Sequence, residues 1–210
     1  MMVRTGIIVL LSIVSMAVAA PGYAGAGSSR QPIDSRPSET FARLPNFDET
    51  PGFGPADARV ILVVFSDYAC HPCAQASRVL SELADMYPNE MRIAVKHYPM
   101  SMQPASIMAS VGALAAYRQG RFREFHSALF ENADDLTHSF ILDVADDIEL
   151  DMAAFRRDLR SPELLSVINR NLAEGEQLGI TETPTIFVNG KLLEPFDMDH
   201  LTEMIEAEMK

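Results

Sequence analysis

Cysteine is nearly absent: the chain of 210 residues has two, Cys70 and Cys73. A structural zinc site needs four ligands, usually two such pairs. One pair, with His97, His126, His138 and His200 at unpaired spacings, does not provide them. A covalent haem would want histidine directly after the second cysteine, and Ala74 stands there. No cysteine lies near the N-terminal small-residue stretch, which excludes a lipid-modified one. Cations are also scarce. Seventeen Lys and Arg face 29 Asp and Glu, for a formal charge of −12, and no basic run exists. That argues against nucleic acid or an anionic membrane as a partner. Apolar runs beyond the N-terminus are too short for repeated membrane spans, and no internal repeat is visible.

The N-terminus is the exception. "MMVRTGIIVLLSIVSMAVAAPGYAGAG" carries one cation, Arg4, then an apolar run from Gly6 to Val18 and a tail of small residues. That order predicts a secretory signal peptide over residues 1–26, with cleavage after Ala19 or Ala26. Residues 27–56 are rich in Ser, Pro and Gly and read as a flexible N-terminal arm.

Past the arm, "RVILVVF" (59–65) is a nearly continuous apolar run suited to a buried central strand. A helical stripe follows through Val79, Leu80, Leu83 and Met86. "MRIAVKHYP" (91–99) predicts a second strand parallel to the first, closing a β-α-β unit. From there to Leu178 the pattern is helical. Asp151 is a candidate cap with Leu150 placed to staple onto Phe155, and Ser161-Pro162 opens another helix that Gly179 ends. Strand signal returns at "TPTIFVNGKLLE", where Asn189-Gly190 predicts a hairpin turn. An amphipathic helix capped by Asp197 closes the chain.

The cysteine pair, "FSDYACHPCAQASRVL", falls between the buried strand and the first helix. As a staple it would be weak. Closing so short a loop removes about 2 kcal/mol of unfolded-state entropy, against nearly 5 for a long loop. Redox chemistry explains the placement better. A helix N-terminus offers free N–H groups and partial positive charge, both of which stabilise a thiolate on Cys70. A protonated His71 beside it would add to this. Pro72 works in the other direction, since it has no N–H to give. Cys73, one turn inside the helix, is expected to be buried. Cys70 is then the attacked and attacking sulfur and Cys73 the resolving one. Val64 is expected beneath the pair, where a carboxylate could take the Cys73 proton and valine cannot. Asp67, expected to be more exposed, and Lys96 remain as other groups for that transfer.

Three motifs in this order, "FSDYACHPC", "GRFREFHSALFEN" and "LGITETPTIFVNGK", resemble the DsbA family of thiol–disulfide oxidoreductases, over roughly residues 52 to 208. The resemblance implies an α/β, thioredoxin-like fold with an all-helical domain inserted between the second and third core strands. Residues 57–100 and 179–210 would form the thioredoxin-like domain and residues 101–178 the insertion. It implies a cis peptide bond at Pro184, with Thr183 presenting its backbone to a client strand and Pro72 bordering the same site. It implies a periplasmic, monomeric enzyme that needs no cofactor. Its clients would be unfolded or reduced exported proteins. Its membrane redox partner would be DsbB-like for a dithiol oxidase or DsbD-like for a reductase or isomerase. His71-Pro72 reverses the Pro-His order of the best-known oxidases, and its second proline resembles reducing thioredoxins. Relatives carry a buried acid where this chain has Val64. A reading of another class rests on 12 methionines, with Met100 and Met102 close together: soft thioethers suit Cu(I), as in a copper metallochaperone.

Overall fold

The structure is a computed structural model that describes residues 50–209. The expected signal peptide and most of the expected arm lie outside these residues. In chain order the elements are β1 (Gly52–Phe53), β2 (Val60–Ser66), α1 (His71–Met86), β3 (Met91–His97), α2 (Pro104–Arg118), α3 (Phe122–Glu131), α4 (His138–Asp147), α5 (Met152–Asp158), α6 (Pro162–Gln177), β4 (Thr185–Val188), β5 (Lys191–Leu192) and α7 (Met198–Met209).

The sheet runs β1-β3-β2-β4-β5. β2 pairs parallel with β3, Val64 opposite Val95, and antiparallel with β4, Val64 opposite Ile186. The fold is therefore α/β with a thioredoxin-like sheet, and five helices stand between β3 and β4. The continuous apolar run of β2 has its cause in this order: the strand is central and covered on both faces. Leu62 and Val64 join Ile93, Val95, Ile186 and Val188 in the larger core, with α1 and α7. Val63 and Phe65 join Ala94, Tyr98 and Phe187 in a smaller core on the opposite face.

Helix α6 covers that opposite face. Lys96, 3% exposed, points to it and pairs with Glu174 at 3.0 Å. Tyr98 lies so close to Gly175 that an added Cβ would sit 2.3 Å from its ring, so the helix approaches the sheet only because glycine is there. The caps follow the sequence. Asp151 accepts from the N–H groups of Ala153 and Ala154, Ser161 accepts from that of Leu164, and Asp197 accepts from that of His200. Asn189 and Gly190 both take positive φ at the β4–β5 turn, as a two-residue hairpin requires.

One expectation is corrected. The arm, read as loose to Ala56, ends in the sheet: Gly52 and Phe53 pair antiparallel with Ala94 and Ile93, and the N–H of Val95 donates to Pro51 O at 2.8 Å. Glycine and proline signalled a loop there, but this strand needs glycine. A Cβ on Gly52 would meet Ile93 O at 2.1 Å.

Where the C-terminal ends of β2 and β3 meet α3, the core turns polar. Tyr68 and His97 stack with ring centroids 5.6 Å apart, and His126 lies 5.5 Å from Tyr68 and 4.9 Å from Phe130. His97 is fully buried and neither ring nitrogen has a partner. Burial lowers both histidines to about pKa 3, and His97 contributes to lowering His126. An unfolded imidazole takes a proton below about pH 6.5, so between that pH and about 3 the unfolded chain binds more protons and stability falls with pH. The slope is about 1.4 kcal/mol per pH unit for each histidine. Urea unfolding at pH 7 and pH 4.5 should show His97→Leu losing about 2.5 kcal/mol less than the parent across this interval. Equal losses would mean that His97 is not held neutral.

Candidate active site

Helix α1 begins at the cysteines. Cys70 is its N-cap, with extended backbone (φ −102°, ψ 114°), and its Sγ accepts the N–H of Cys73 at 3.3 Å. A sulfur here replaces the usual Ser, Thr or Asp oxygen, so the group that starts the helix is also the reactive one. Both cysteines are free thiols. Cys70 is half-buried and donates its S–H to Thr183 O at 3.3 Å. Cys73 is 1% exposed, and burial pushes its thiol up to about 12, with the Cys70 sulfur adding to the rise. The two thiols thus differ in the way their positions on the helix predict.

The expected partners fall around this pair. The Thr183-Pro184 bond is cis, and both residues are half-buried beside Cys70, with the Thr183 carbonyl on its sulfur. Pro72 is exposed in the first turn of α1. His71 is exposed too, but its imidazole is engaged: Nε2 lies 2.8 Å from Asp134 Oδ1, in the segment after α3. A carboxylate on the ring opposes the positive potential that His71 was expected to lend Cys70.

Asp67 is a correction. Expected to be more exposed, it is 4% exposed. Its Oδ1 accepts the N–H of Ala69 at 2.9 Å and the hydroxyl of Ser106, while its carbonyl accepts the N–H of Cys70 at 3.1 Å. An Asx turn explains this: the short side chain bonds the backbone two residues on and is drawn into the turn that delivers Cys70. Lys96, the other group considered for proton transfer, is on the far face of the sheet with Glu174. Val64 is where the strand pattern put it. With Cys73 it lines a cavity of about 10 Å³ that also touches Ser66, Ser77 and His126.

Sequence reasoning missed the polar side of this cavity. Ser77 follows Cys73 by four residues and so shares its helix face, a spacing that was legible. His126 and Tyr68 meet across 58 residues of chain, at 2.8 Å between the hydroxyl and Nδ1, which no local pattern discloses. Met100 and Met102, the candidate thioether pair, are exposed in the loop between β3 and α2. Among the described residues no group of three or more His, Cys, Asp or Glu side chains is placed to hold a metal ion.

The Thr183-Pro184 loop thus faces a cysteine-capped helix that follows the central strand. The family model described as Thioredoxin matches residues 47–207. The chain belongs to the thioredoxin family. Among solved structures, the thioredoxin-like oxidoreductase from Silicibacter pomeroyi DSS-3 is 28% identical with a TM-score of 0.69, over 77% of this chain and 92% of that one. The thiol-disulfide exchange protein alpha-DsbA2 from Wolbachia pipientis shares the fold at 21% identity and a TM-score of 0.70, over 83% of this chain and 98% of that one. This is a thioredoxin-fold protein. Among curated proteins, the Na(+)/H(+) antiporter NhaA 1 of Mycobacterium sp. (strain KMS) is 31% identical over 158 residues, 73% of this chain. The match spans about a quarter of that antiporter, 26% of its length. Among the described residues of this family member, no helix is long and apolar enough to cross a membrane.

Val64→Glu tests the cavity wall. A carboxylate there is buried with no cation to pair it, so the melting temperature should fall, by the equivalent of about 2–4 kcal/mol. The disulfide-exchange pH–rate profile should gain an ionisation above the ordinary glutamate range, since burial raises it. Stability loss with an unchanged profile would place Val64 away from the reacting sulfurs.

Proposed function

We propose that this protein is a thiol–disulfide oxidoreductase whose working groups are Cys70 and Cys73, and that it acts as a DsbA-like dithiol oxidase on exported proteins. The observation that carries the reading is the asymmetry of the pair. Cys70 sits at a helix N-terminus with a main-chain N–H on its sulfur, and Cys73 is buried with its thiol pushed up to about 12. A client thiolate attacks Cys70 in the disulfide form, and the Cys70–Cys73 bond breaks with its electron pair leaving on Cys73. A mixed disulfide through Cys70 results. A second client thiol then attacks the client sulfur, forming the client disulfide and releasing Cys70 as a thiolate, so both cysteines end reduced.

Thr183, Pro184 and Pro72 border Cys70, and the main chain at Thr183 suits pairing with an extended client segment. His71, tied to Asp134, holds the start of α1 to the helical layer. Periplasmic location, a signal peptide over residues 1–26, a monomer, and a DsbB-like membrane partner complete the reading. The oxidoreductase from Silicibacter pomeroyi, at 28% identity, supports the reaction class.

Two measurements test it. Alkylation of the protein trapped directly from cells should find Cys70 and Cys73 mostly as the disulfide. A dithiol resting state would give the protein to the reductase or isomerase class and to a DsbD-like partner. Cys73→Ser should accumulate mixed disulfides with exported proteins on non-reducing gels, because Cys70 still attacks client disulfides in the reverse direction and no Cys73 thiol remains to displace the client from it. Partners attached instead through Cys73 in Cys70→Ser would reverse the roles assigned to the two sulfurs.

A further inference from the structure

In the reaction just proposed, on which the present inference rests, Cys73 Sγ must carry the electron pair of the broken bond. It does so in a place where burial disfavours charge. Cys73 lines the cavity of about 10 Å³ with Val64, Ser66, Ser77 and His126. Val64 has no donor, so the polar wall is Ser66, Ser77 and His126. The volume is at the lower limit for one water, which needs two or more polar partners.

A hydrogen-bonded chain reaches this wall from the opposite side. Tyr68 is 1% exposed, and the one hydrogen-bond partner of its hydroxyl is Nδ1 of His126 at 2.8 Å. A buried O–H with one available partner donates to it. Nδ1 is then the acceptor, and the ring hydrogen is on Nε2. Nε2 in turn lies 3.0 Å from Ser77 Oγ and donates to it. The serine oxygen is thus an acceptor, and its own hydrogen is unspent. A helical hydroxyl ordinarily returns that hydrogen to the carbonyl one turn back, as Thr202 does to Met198 O at 2.7 Å. Ser77 makes no such bond; His126 is its one partner. It stands one turn after Cys73 on the same face of α1.

We propose that Tyr68, His126 and Ser77 form a buried donor chain that delivers a hydrogen bond, through one water in this cavity, to Cys73 Sγ when that sulfur leaves as a thiolate. The water is held by Ser77, Ser66 and the sulfur. All three residues of the chain are positioning residues: none touches the client or the reacting sulfurs. No proton need transfer. The direction of each bond fixes the next, so the final hydrogen points toward the charge that develops. The titratable groups packed against His126 are Tyr68 from the β2–α1 segment, His97 from β3 and Cys73 from α1. Tyr68 is raised well above its ordinary value by burial, and the two histidines are neutral down to about pH 3. The chain therefore keeps its polarity over the whole range in which disulfides exchange.

The test uses the full chain in three variants. Ser77→Ala removes the last donor, Ser77→Thr keeps a hydroxyl, and Tyr68→Phe keeps the ring but frees Nδ1. Breakage of the Cys70–Cys73 bond by reduced glutathione, followed by stopped flow, should slow about tenfold in Ser77→Ala and Tyr68→Phe and recover in Ser77→Thr, because a poorer leaving thiolate leaves more slowly. In the Cys70→Ser background, the pH profile of Cys73 alkylation, followed up to about pH 9 where the small thiolate fraction sets the rate, should drop about tenfold at every pH with Ser77→Ala. Alkylation of Cys70 in the reduced protein, which places no charge on Cys73, should keep its parental rate. A general loosening of the site would move all three. Parental bond-breaking rates and an unmoved Cys73 profile in Ser77→Ala would overturn the donor chain. A parental protein that exchanges no disulfide through Cys70 would overturn the reaction instead, while the Cys73 profile still decides the chain.

Discussion

The structure turns on one hydrogen bond, from the N–H of Cys73 to the sulfur of Cys70. A helix must satisfy its first N–H groups, and here a thiol does what a serine or aspartate side chain does elsewhere. The cap fixes where α1 starts, and the start of α1 fixes which cysteine is at the surface and which is one turn inside. Asp67, bent into its Asx turn and held by Ser106 of α2, brings the chain to that point. The central strand β2, buried on both faces, sets the height at which the turn leaves the sheet. Chemistry and folding therefore use the same atoms at this position. A side chain with no acceptor in place of the sulfur would disturb the helix entry, whereas a serine oxygen keeps the cap and loses the chemistry.

Around that point the layers divide the work. One face of the sheet carries the reactive pair, the cavity and the histidine–tyrosine cluster. The other buries Lys96 against Glu174 under α6. A charge pair is tolerated there because both groups are partnered, whereas the two histidines of the active face are held neutral by burial, with His97 adding to the effect on His126. The helical insertion matters to the site through α3, which supplies His126 and Phe130, and through Ser106 at the start of α2.

Much of this was legible because its causes are local. The apolar run of β2, the spacing of the two cysteines, the Asn189-Gly190 turn and the caps at Asp151 and Ser161 each depend on a few neighbouring residues. Three features were not. β1 was hidden by its own glycine and proline, which signal loops unless the partner strand is known. Asp67 was misjudged because burial of a carboxylate depends on Ser106, 39 residues away. The Tyr68–His126 contact joins distant segments, and His126 read alone was one more unpaired histidine. Sequence patterns disclose which residues share an element; they are silent on which elements meet.

The Thr183 carbonyl is coupled to the state of the sulfur it faces. In the dithiol form it accepts the S–H of Cys70 at 3.3 Å. A disulfide has no such hydrogen, so oxidation strips this oxygen of that donor. The same peptide group thus carries two different hydrogen-bonding loads in the two redox forms. Its carbonyl carbon, observed by isotope-edited infrared or carbon resonance, becomes a reporter of the sulfur's oxidation state that needs no label on either cysteine.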